Sequence, residues 1–243
     1  MLKTIVLAAG KGTRLQTEGV DLPKVMRLAL GKPLLHYVLA ALPEQDPKDV
    51  ILVVGYKKDY ITAAFPGYTF AEQTEQLGTG HAVMSAVPAL GDYDGDVLVC
   101  CGDTPLVSPE TYAALIGEHR AKGNVCTVLT GRTDDPASLG RVLRDDAGGF
   151  IRIVEARDCT PEQLAINEVN AGVYVFDAKK MTAALTELRT DNDQHEYYLT
   201  DLPDILLRHG ERVGVCVRDM GVELIGVNTP DQLAQVEAVL RDR

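Results

Sequence analysis

KTIVLAAGKGTRL, residues 3–15, runs from an apolar, β-rich segment straight into a glycine loop flanked by cations. KTIVLA (3–8) reads as a first buried strand. The residues after it, LAAGKGTRL (7–15), have the make-up of a phosphate loop. Gly10 and Gly12 admit dihedrals and close approaches closed to other residues. Successive backbone N–H groups in such a loop can cradle a phosphate, and Lys11 and Arg14 add positive charge. No Gly-Lys-Ser/Thr follows at the Walker spacing, and Leu15 stands where a dinucleotide fingerprint needs its third glycine. Taken alone, the loop reads equally well as a phosphate cradle or as an ordinary turn.

Further along the chain, apolar β-rich runs alternate with helical patterns. DVILVV (49–54), YTFAE (68–72), DVLVCC (96–101) and VCTVLT (125–130) read as strands. PLLHYVLAAL (33–42), HAVMSAVPAL (81–90) and SPETYAALIGEHRAKG (108–123) read as helices. In the last of these, Ser108 is placed to cap, Pro109 suits the first position and Gly123 the exit. This βαβα rhythm predicts an α/β fold with a doubly wound, mostly parallel central sheet, Rossmann-like in its layering. After residue 130 the style changes. Residues 141–156 read as two strands about an Asp-Asp-Ala-Gly-Gly turn, 171–177, 213–217 and 222–227 as further strands, and 179–188, 200–210 and 229–243 as helices, the last capped by Thr229. One domain is expected over residues 1–243, with a nucleotide-binding half (1–130) and a half (131–243) that carries a small β-rich lobe for the second ligand and the C-terminal helix.

The 243 residues carry a formal charge of −11, which argues against a nucleic-acid or anionic-membrane partner. Residues 1–32 hold six Lys and Arg against Glu18 and Asp21, a local +4 that leaves −15 on the remainder. A basic N-terminal segment on an acidic chain suits a small anionic ligand. No apolar run is long enough to span a bilayer and no signal peptide is recognised. The five cysteines are odd in number, include no CxxC pair and mostly sit in apolar runs, as expected of reduced thiols in a cytoplasmic protein.

Three further segments carry chemistry. In DLPKVMRL, Pro23 restrains the backbone and presents Lys24, which with Arg14 forms a candidate two-cation clamp for a triphosphate. In EQTEQLGTGHA (72–82), Gln73 and Gln76 have amides able to read a base edge, and Gly78 and Thr79 allow backbone groups to approach a ring. The plainer reading of the same residues is a helix N-terminus. In CGDTPL (101–106), Asp103 lies just past the end of a buried strand, where open α/β sheets bind ligands, and offers a hard oxygen to Mg²⁺. An Asp before Thr-Pro is also a common turn residue.

Together, LAAGKGTR, LPKV, EQLGTGHA and GDTPL resemble the sugar-1-phosphate nucleotidyltransferases. The resemblance is strongest to the N-terminal uridylyltransferase domain of the bacterial bifunctional enzymes that make UDP-N-acetylglucosamine, a peptidoglycan precursor. It covers nearly the whole chain, with later matches at Gly140-Arg141, Val154-Glu155, Asp158, Glu168–Gly172, EYYLTD (196–201) and Gly226-Val227-Asn228. It implies transfer of a uridylyl group from UTP to N-acetylglucosamine 1-phosphate, with Mg²⁺ as cofactor. Leu7, Ala8, Ala9, Gly10, Lys11, Gly12, Gln73, Gln76, Gly78 and Thr79 would hold the nucleotide. Arg14, Lys24 and Asp103 would be catalytic, with Asp103 and Asn228 as metal ligands. Cys101, Gly102, Gly140, Glu155, Asn170, Tyr198 and Thr200 would surround the sugar.

The sequence departs from the family in three places. Cys101 stands where tyrosine is common. The LQTEGVDLPK connection from Leu15 to Lys24 is longer than usual and carries Glu18 and Asp21. The resemblance ends at Arg243, before the hexapeptide-repeat acetyltransferase of the bifunctional enzymes, so acetyl transfer is not expected of these residues and a homo-oligomer is left open. The competing readings are a nucleotidyltransferase for another sugar 1-phosphate such as glucose 1-phosphate, a catalytically silent nucleotide-sugar sensor on the same fold, and a glycosyltransferase, whose usual acidic pair is represented here by Asp103 alone.

Overall fold

The strand that opens the chain lies near the middle of the main sheet. The computed structural model describes residues 2–15 and 21–243, and of Arg14 the backbone alone. β1 (Leu2–Leu7) leads through the glycine loop to a short hairpin, β2 (Leu28–Ala29) and β3 (Lys32–Pro33), and to α1 (Leu34–Ala41). There follow β4 (Val50–Val54), α2 (Lys58–Ala64), β5 (Thr69–Glu72), α3 (Thr79–Leu90), β6 (Asp96–Cys101), α4 (Pro109–Lys122) and β7 (Cys126–Arg132). The second half holds β8 (Arg141–Arg144), β9 (Phe150–Val154), α5 (Pro161–Leu164), β10 (Glu168–Asp177), α6 (Ala178–Leu185), α7 (Leu202–Arg208), β11 (Val213–Arg218) and α8 (Pro230–Asp242).

The sheet order is β11-β7-β10-β6-β1-β4-β5, with β8 and β9 as a flanking pair. β6, β1, β4 and β5 are parallel, and so are β7 and β11. β10 runs antiparallel between β6 and β7. The expected doubly wound, mostly parallel sheet is present, and β10 is the reversed strand within it. Each strand sends alternate side chains to opposite faces. Ile5, Val97 and Val99 pack under α3, α6 and α7, while Val6, Leu98 and Cys100 pack against α1, α2 and α4. A third cluster of Leu15, Ala29, Leu34, Leu106, Val227 and Val236 seats α8 beside the end of the glycine loop.

Residues 222–227, expected as a strand, are not one. Gly221–Leu224 form a 3₁₀ turn, closed by Glu223 N–H donating to Met220 O (2.7 Å) and Ile225 N–H to Val222 O (3.1 Å). The Glu223 carboxylate accepts from both the Ser108 N–H and its hydroxyl (3.1 and 2.9 Å). That pairing pulls the segment toward the N-terminus of α4 and away from the edge strand β11, where the apolar run would otherwise have added.

The topology fixes the location of the site. β1, β4, β5 and β6 all end at the same edge, with Leu7 opposite Cys101 and Val54 opposite Glu72. Because β10 is antiparallel, with Tyr174 opposite Val99, its early residues Asn170–Gly172 arrive at that edge too. No helix among the described residues is long and apolar enough to cross a membrane.

Candidate active site

Two clefts open along this edge and meet at Cys101 and Asp103. The first, about 240 Å³, is lined by Leu7, Ala9, Gly10, Gln73, Gln76, Gly78 and Thr79, with Lys24, Val25, Ala82 and Glu196. The second, about 420 Å³, is lined by Gly140, Glu155, Asn170, Gly172, Asn228 and residues around Asp135 and Gln232. Cys101 and Asp103 belong to both.

The loop after β1 is held from behind. Ala8 N–H donates to Val53 O, and Ala9 O accepts from Tyr56 N–H (3.2 Å) and from Gln76 Nε2 (2.8 Å). Gly10 faces open space. Gly12 has φ +66°, and a β-carbon there would lie 2.6 Å from Lys24 Cβ. The loop therefore closes directly onto the stem of Lys24. Lys24 itself opens a 3₁₀ turn after Pro23, whose next residues Val25 and Met26 are buried in the core. With those two facing inward, the lysine side chain is left to the cleft.

Lys24 Nζ donates to Asp103 Oδ2 in an ion pair and to Asn228 Oδ1 at 2.6 Å. Asn228 reaches this point although it is 125 residues from Asp103, because Val227 N–H donates to Asp103 O (2.9 Å). The Gln232 side chain, part of the capping box of α8, accepts from Asn228 N–H and Thr229 N–H (2.8 and 3.1 Å). An Asp carboxylate and an Asn amide oxygen thus converge on one cation. Among the described residues no three His, Cys, Asp or Glu side chains are arranged so that they could hold a metal ion by themselves. One carboxylate with one neutral oxygen is the donor set of a Mg²⁺ ion that takes its other ligands from phosphates and water, so the residues present fit that ion.

The two glutamines are more occupied than their sequence reading implies. Gln73 is buried, and its Nε2 donates to Gly78 O (3.0 Å) and lies 3.2 Å from His81 Nδ1. Gln76 Nε2 is the donor to Ala9 O. Both amides brace the wall of the cleft, leaving their oxygens as the groups able to accept from a ligand. Gly78, at φ +106°, allows the 77–80 turn to lie against Tyr197, where a β-carbon would come within 2.6 Å of Tyr197 O. Tyr197 N–H donates to Leu77 O, Gly80 N–H to Tyr197 O and Leu199 N–H to Thr79 Oγ1. This clasp brings Glu196 into the first cleft. The EYYLTD match marks the segment of Glu196 but not its place in this cleft, which depends on pairing across more than a hundred residues.

In the second cleft, Asn170 donates from Nδ2 to Tyr174 Oη (2.7 Å), accepts from Gly172 N–H (3.1 Å) and is buried. It stabilises the register shift of β10 between Asn170 and Tyr174. Thr200 is buried and donates to Glu155 Oε1 (2.9 Å), so it acts on the cleft through Glu155. Burial pushes the Glu155 carboxyl above its usual range, against the hydroxyl of Thr200 and with help from Asp158 and Asp201. Tyr198 lines a small cavity with Arg152, Asp158 and Asp201 that shares Glu155 with the second cleft, and its hydroxyl accepts from Gln194 Nε2 (2.9 Å). Gly102 lies beneath the junction, its N–H donating to Leu7 O (2.9 Å). Burial also pushes the Cys101 thiol up, so it stays protonated.

Ala8, Lys11 and Gly12 do not line the first cleft. Ala8 is buried, and Lys11 Nζ sits 5.2 Å above the Tyr56 ring. The Arg14 side chain and Glu18 lie outside the described residues. Asp21 pairs with Lys57 and accepts from Tyr56 Oη, which ties the end of the long connection to the β4–α2 turn.

Comparison with known proteins places this site in context. The MobA-like NTP transferase domain family matches residues 4–199. A protein of Pelotomaculum thermopropionicum called bifunctional protein GlmU is 43% identical over 243 residues, covering all of this chain and 52% of the relative. The bifunctional protein GlmU of Streptococcus suis is 43% identical over 240 residues, 98% of this chain and 52% of the relative. The chain spans about half the length of these curated relatives. The solved structure of UDP-glucose pyrophosphorylase complexed with UDP-glucose superposes with a TM-score of 0.79 at 16% identity, covering 100% of both chains. A Bacillus anthracis protein assigned as a glucose-1-phosphate thymidylyltransferase superposes with a TM-score of 0.78 at 20% identity, covering 100% of this chain and 96% of the other. These two likenesses show the nucleotide-diphospho-sugar transferase fold.

Proposed function

Since the chain belongs to the MobA-like NTP transferase family, we propose that it transfers the uridylyl group of UTP to N-acetylglucosamine 1-phosphate, releasing pyrophosphate. The observation that carries this reading is the pair of clefts meeting at Cys101 and Asp103. A reaction joining two phosphorylated substrates needs two pockets with one shared point, where the phosphates are brought together. The relatives named bifunctional protein GlmU, 43% identical here, favour this donor and acceptor over others.

In this reading the base lies against the 73–79 turn, accepted by the oxygens of Gln73 and Gln76, with its phosphates directed toward the glycine loop and Lys24. The amino sugar occupies the second cleft among Gly140, Glu155 and Asn170. A non-bridging oxygen of the sugar phosphate attacks the α-phosphorus of UTP. The bond from that phosphorus to the α–β bridging oxygen breaks, and pyrophosphate leaves with the electron pair. No protein nucleophile enters, in keeping with a Cys101 thiol held protonated by burial. The protein supplies position and charge. Lys24 faces the point where negative charge develops, and a cation so placed is worth about 3 kcal/mol of barrier. Arg14, on the same loop, would complete the clamp. Asp103 and Asn228 would hold Mg²⁺, which when bound offsets the repulsion between the two phosphates. The surroundings are those of a cytoplasmic enzyme supplying a cell-wall precursor.

Pyrophosphate release, measured for each nucleoside triphosphate against a panel of sugar 1-phosphates with and without Mg²⁺, tests the reading. UTP with the N-acetyl sugar is expected to be fastest. Turnover with glucose 1-phosphate and not with the N-acetyl sugar would replace the acceptor. No turnover with any pair would leave the nucleotide-sugar sensor as the better account.

A further inference from the structure

We propose that Lys24 is a resident counter-cation of the metal subsite, displaced toward the phosphates when a metal–triphosphate complex arrives. This deepens the reading above and rests on it for the claim that a triphosphate and a divalent ion share this cleft. The observation is that one ammonium satisfies both oxygens suited to a metal: Lys24 Nζ pairs with Asp103 Oδ2 and donates to Asn228 Oδ1 at 2.6 Å. Both side chains of the pair are mostly buried, at 13% and 21% exposed, so Asp103 has little water to offset its charge when unpaired. The lysine keeps Asp103 and Asn228 preorganised while no ligand is present.

The same geometry sets an order of events. A divalent ion arriving alone must expel the ammonium from two oxygens without supplying a new anion for it. An ion arriving with a triphosphate brings the new anionic partner with it, and the flexible lysine stem can swing across. The stem passes directly under Gly12, so the phosphate loop adjoins the path of the moving group. The exchange is charge for charge, which lets the site reject free metal and accept the complex. Lys24 thus has two successive partners, the metal ligands first and the phosphates second.

Two measurements on the full chain test this without nucleotide or sugar, so the outcome does not depend on which base or acceptor the enzyme prefers. In the first, Mn²⁺ is titrated into the ligand-free protein and free Mn²⁺ is read by electron paramagnetic resonance. Lys24→Met is expected to bind one ion at least tenfold more tightly than the wild type, and the gain should vanish in the Lys24→Met/Asp103→Asn double variant. Equal or weaker binding by a folded Lys24→Met variant would overturn the proposal. The second uses the unmodified protein, so it stands even if that variant does not fold. The ¹⁵N resonance of the Lys24 ammonium is followed by NMR. It should hold its position on addition of Mg²⁺ and shift when inorganic triphosphate is added with Mg²⁺. A shift of the same size at the same concentration of Mg²⁺ alone would equally overturn it.

Discussion

Gly12 and Lys24 are packed so closely that the lysine stem fills the space of the missing side chain, with a β-carbon on Gly12 lying 2.6 Å from Lys24 Cβ and 2.9 Å from its Cγ. Gly12 also sits at φ +66°, where a non-glycine residue carries strain of about 1–3 kcal/mol. The contact involves the root of the lysine, next to the backbone, and a root cannot yield as a flexible chain end does.

Gly12→Ala is therefore expected to cost stability and to displace Lys24 from Asp103 and Asn228. A loss of about 1–3 kcal/mol lowers the melting temperature by about 2–4 °C for each kcal/mol in a chain of this size. Turnover should fall at least about tenfold, the equivalent of 1.4 kcal/mol in the barrier. Thermal melts and pyrophosphate release check both. An alanine variant with wild-type melting and rate would show that the loop and Lys24 move independently.

The two glutamines should separate. Gln73 is buried and braces Gly78, so Gln73→Ala leaves the Gly78 carbonyl without its side-chain donor in the wall of the cleft. Gln76 donates to Ala9 O, which keeps the Tyr56 N–H as a second donor. Gln73→Ala is expected to lower stability by about 1–3 kcal/mol and Gln76→Ala by about 1 kcal/mol or less. Gln76→Ala should raise the KM for UTP about tenfold, roughly the worth of one hydrogen bond, with kcat nearly unchanged. Urea melts and initial rates on both variants give the comparison. The reverse order of stability loss would show that the bracing described for Gln73 is not what holds the turn.

The parts of this site that could be read from sequence are those in which a local segment contains its own reason. The strand-then-glycine pattern of residues 3–15 places the loop, and the βαβα rhythm sets most of the sheet. The reversed β10 was not legible as reversed, since a strand's direction is decided by the connections that precede it. Residues 222–227 have the composition of a strand, yet Glu223 turns them toward Ser108, a partner 115 residues away. Asp103 and Asn228 stand apart in sequence, and the Val227–Asp103 backbone bond, the Gln232 clasp on Asn228 and the shared contact with Lys24 bring them together. Glu196 enters the first cleft by long-range pairing in the same way. Tyr198 and Thr200 both adjoin Glu155, Tyr198 from a small cavity that shares it with the second cleft and Thr200 through a hydrogen bond to its carboxylate, a placement no local pattern gives.

Glu155 gives the fold a pH dependence. Its carboxyl is held above the ordinary value of 4.5, chiefly by burial. Over the range above that value the folded state binds more protons than the unfolded state, so stability falls as pH rises until Glu155 ionises in the folded protein. Glu155→Gln keeps an acceptor for Thr200 and removes this dependence. Relative to the wild type, the variant should gain stability between about pH 4 and about pH 7.5. The KM for the sugar 1-phosphate should rise while the KM for UTP holds. Urea denaturation at the two pH values measures the first effect. A stability difference that does not change with pH would mean that Glu155 ionises at its ordinary value.

Asn228 and Thr229 are adjacent, and their substitutions should have different consequences. Thr229 caps α8, its Oγ1 accepting from Gln232 N–H (3.3 Å), so Thr229→Ala should cost about 1 kcal/mol and lower the melting temperature by about 2–4 °C. Its effect on rate should be small, because Asn228 remains held by Gln232 and by the Val227–Asp103 bond. Asn228→Ala removes one of the two oxygens that converge on Lys24 Nζ. The Mg²⁺ concentration giving half-maximal rate should rise at least about tenfold, matching about 1.4 kcal/mol, and Asn228→Asp should restore most of it by returning an oxygen donor. Rates measured across a Mg²⁺ series, alongside melts, separate the two residues. Equal kinetic losses in Asn228→Ala and Thr229→Ala, with no rescue by Asn228→Asp, would assign activity to the position of the α8 terminus and remove the Asn228 oxygen from the metal set.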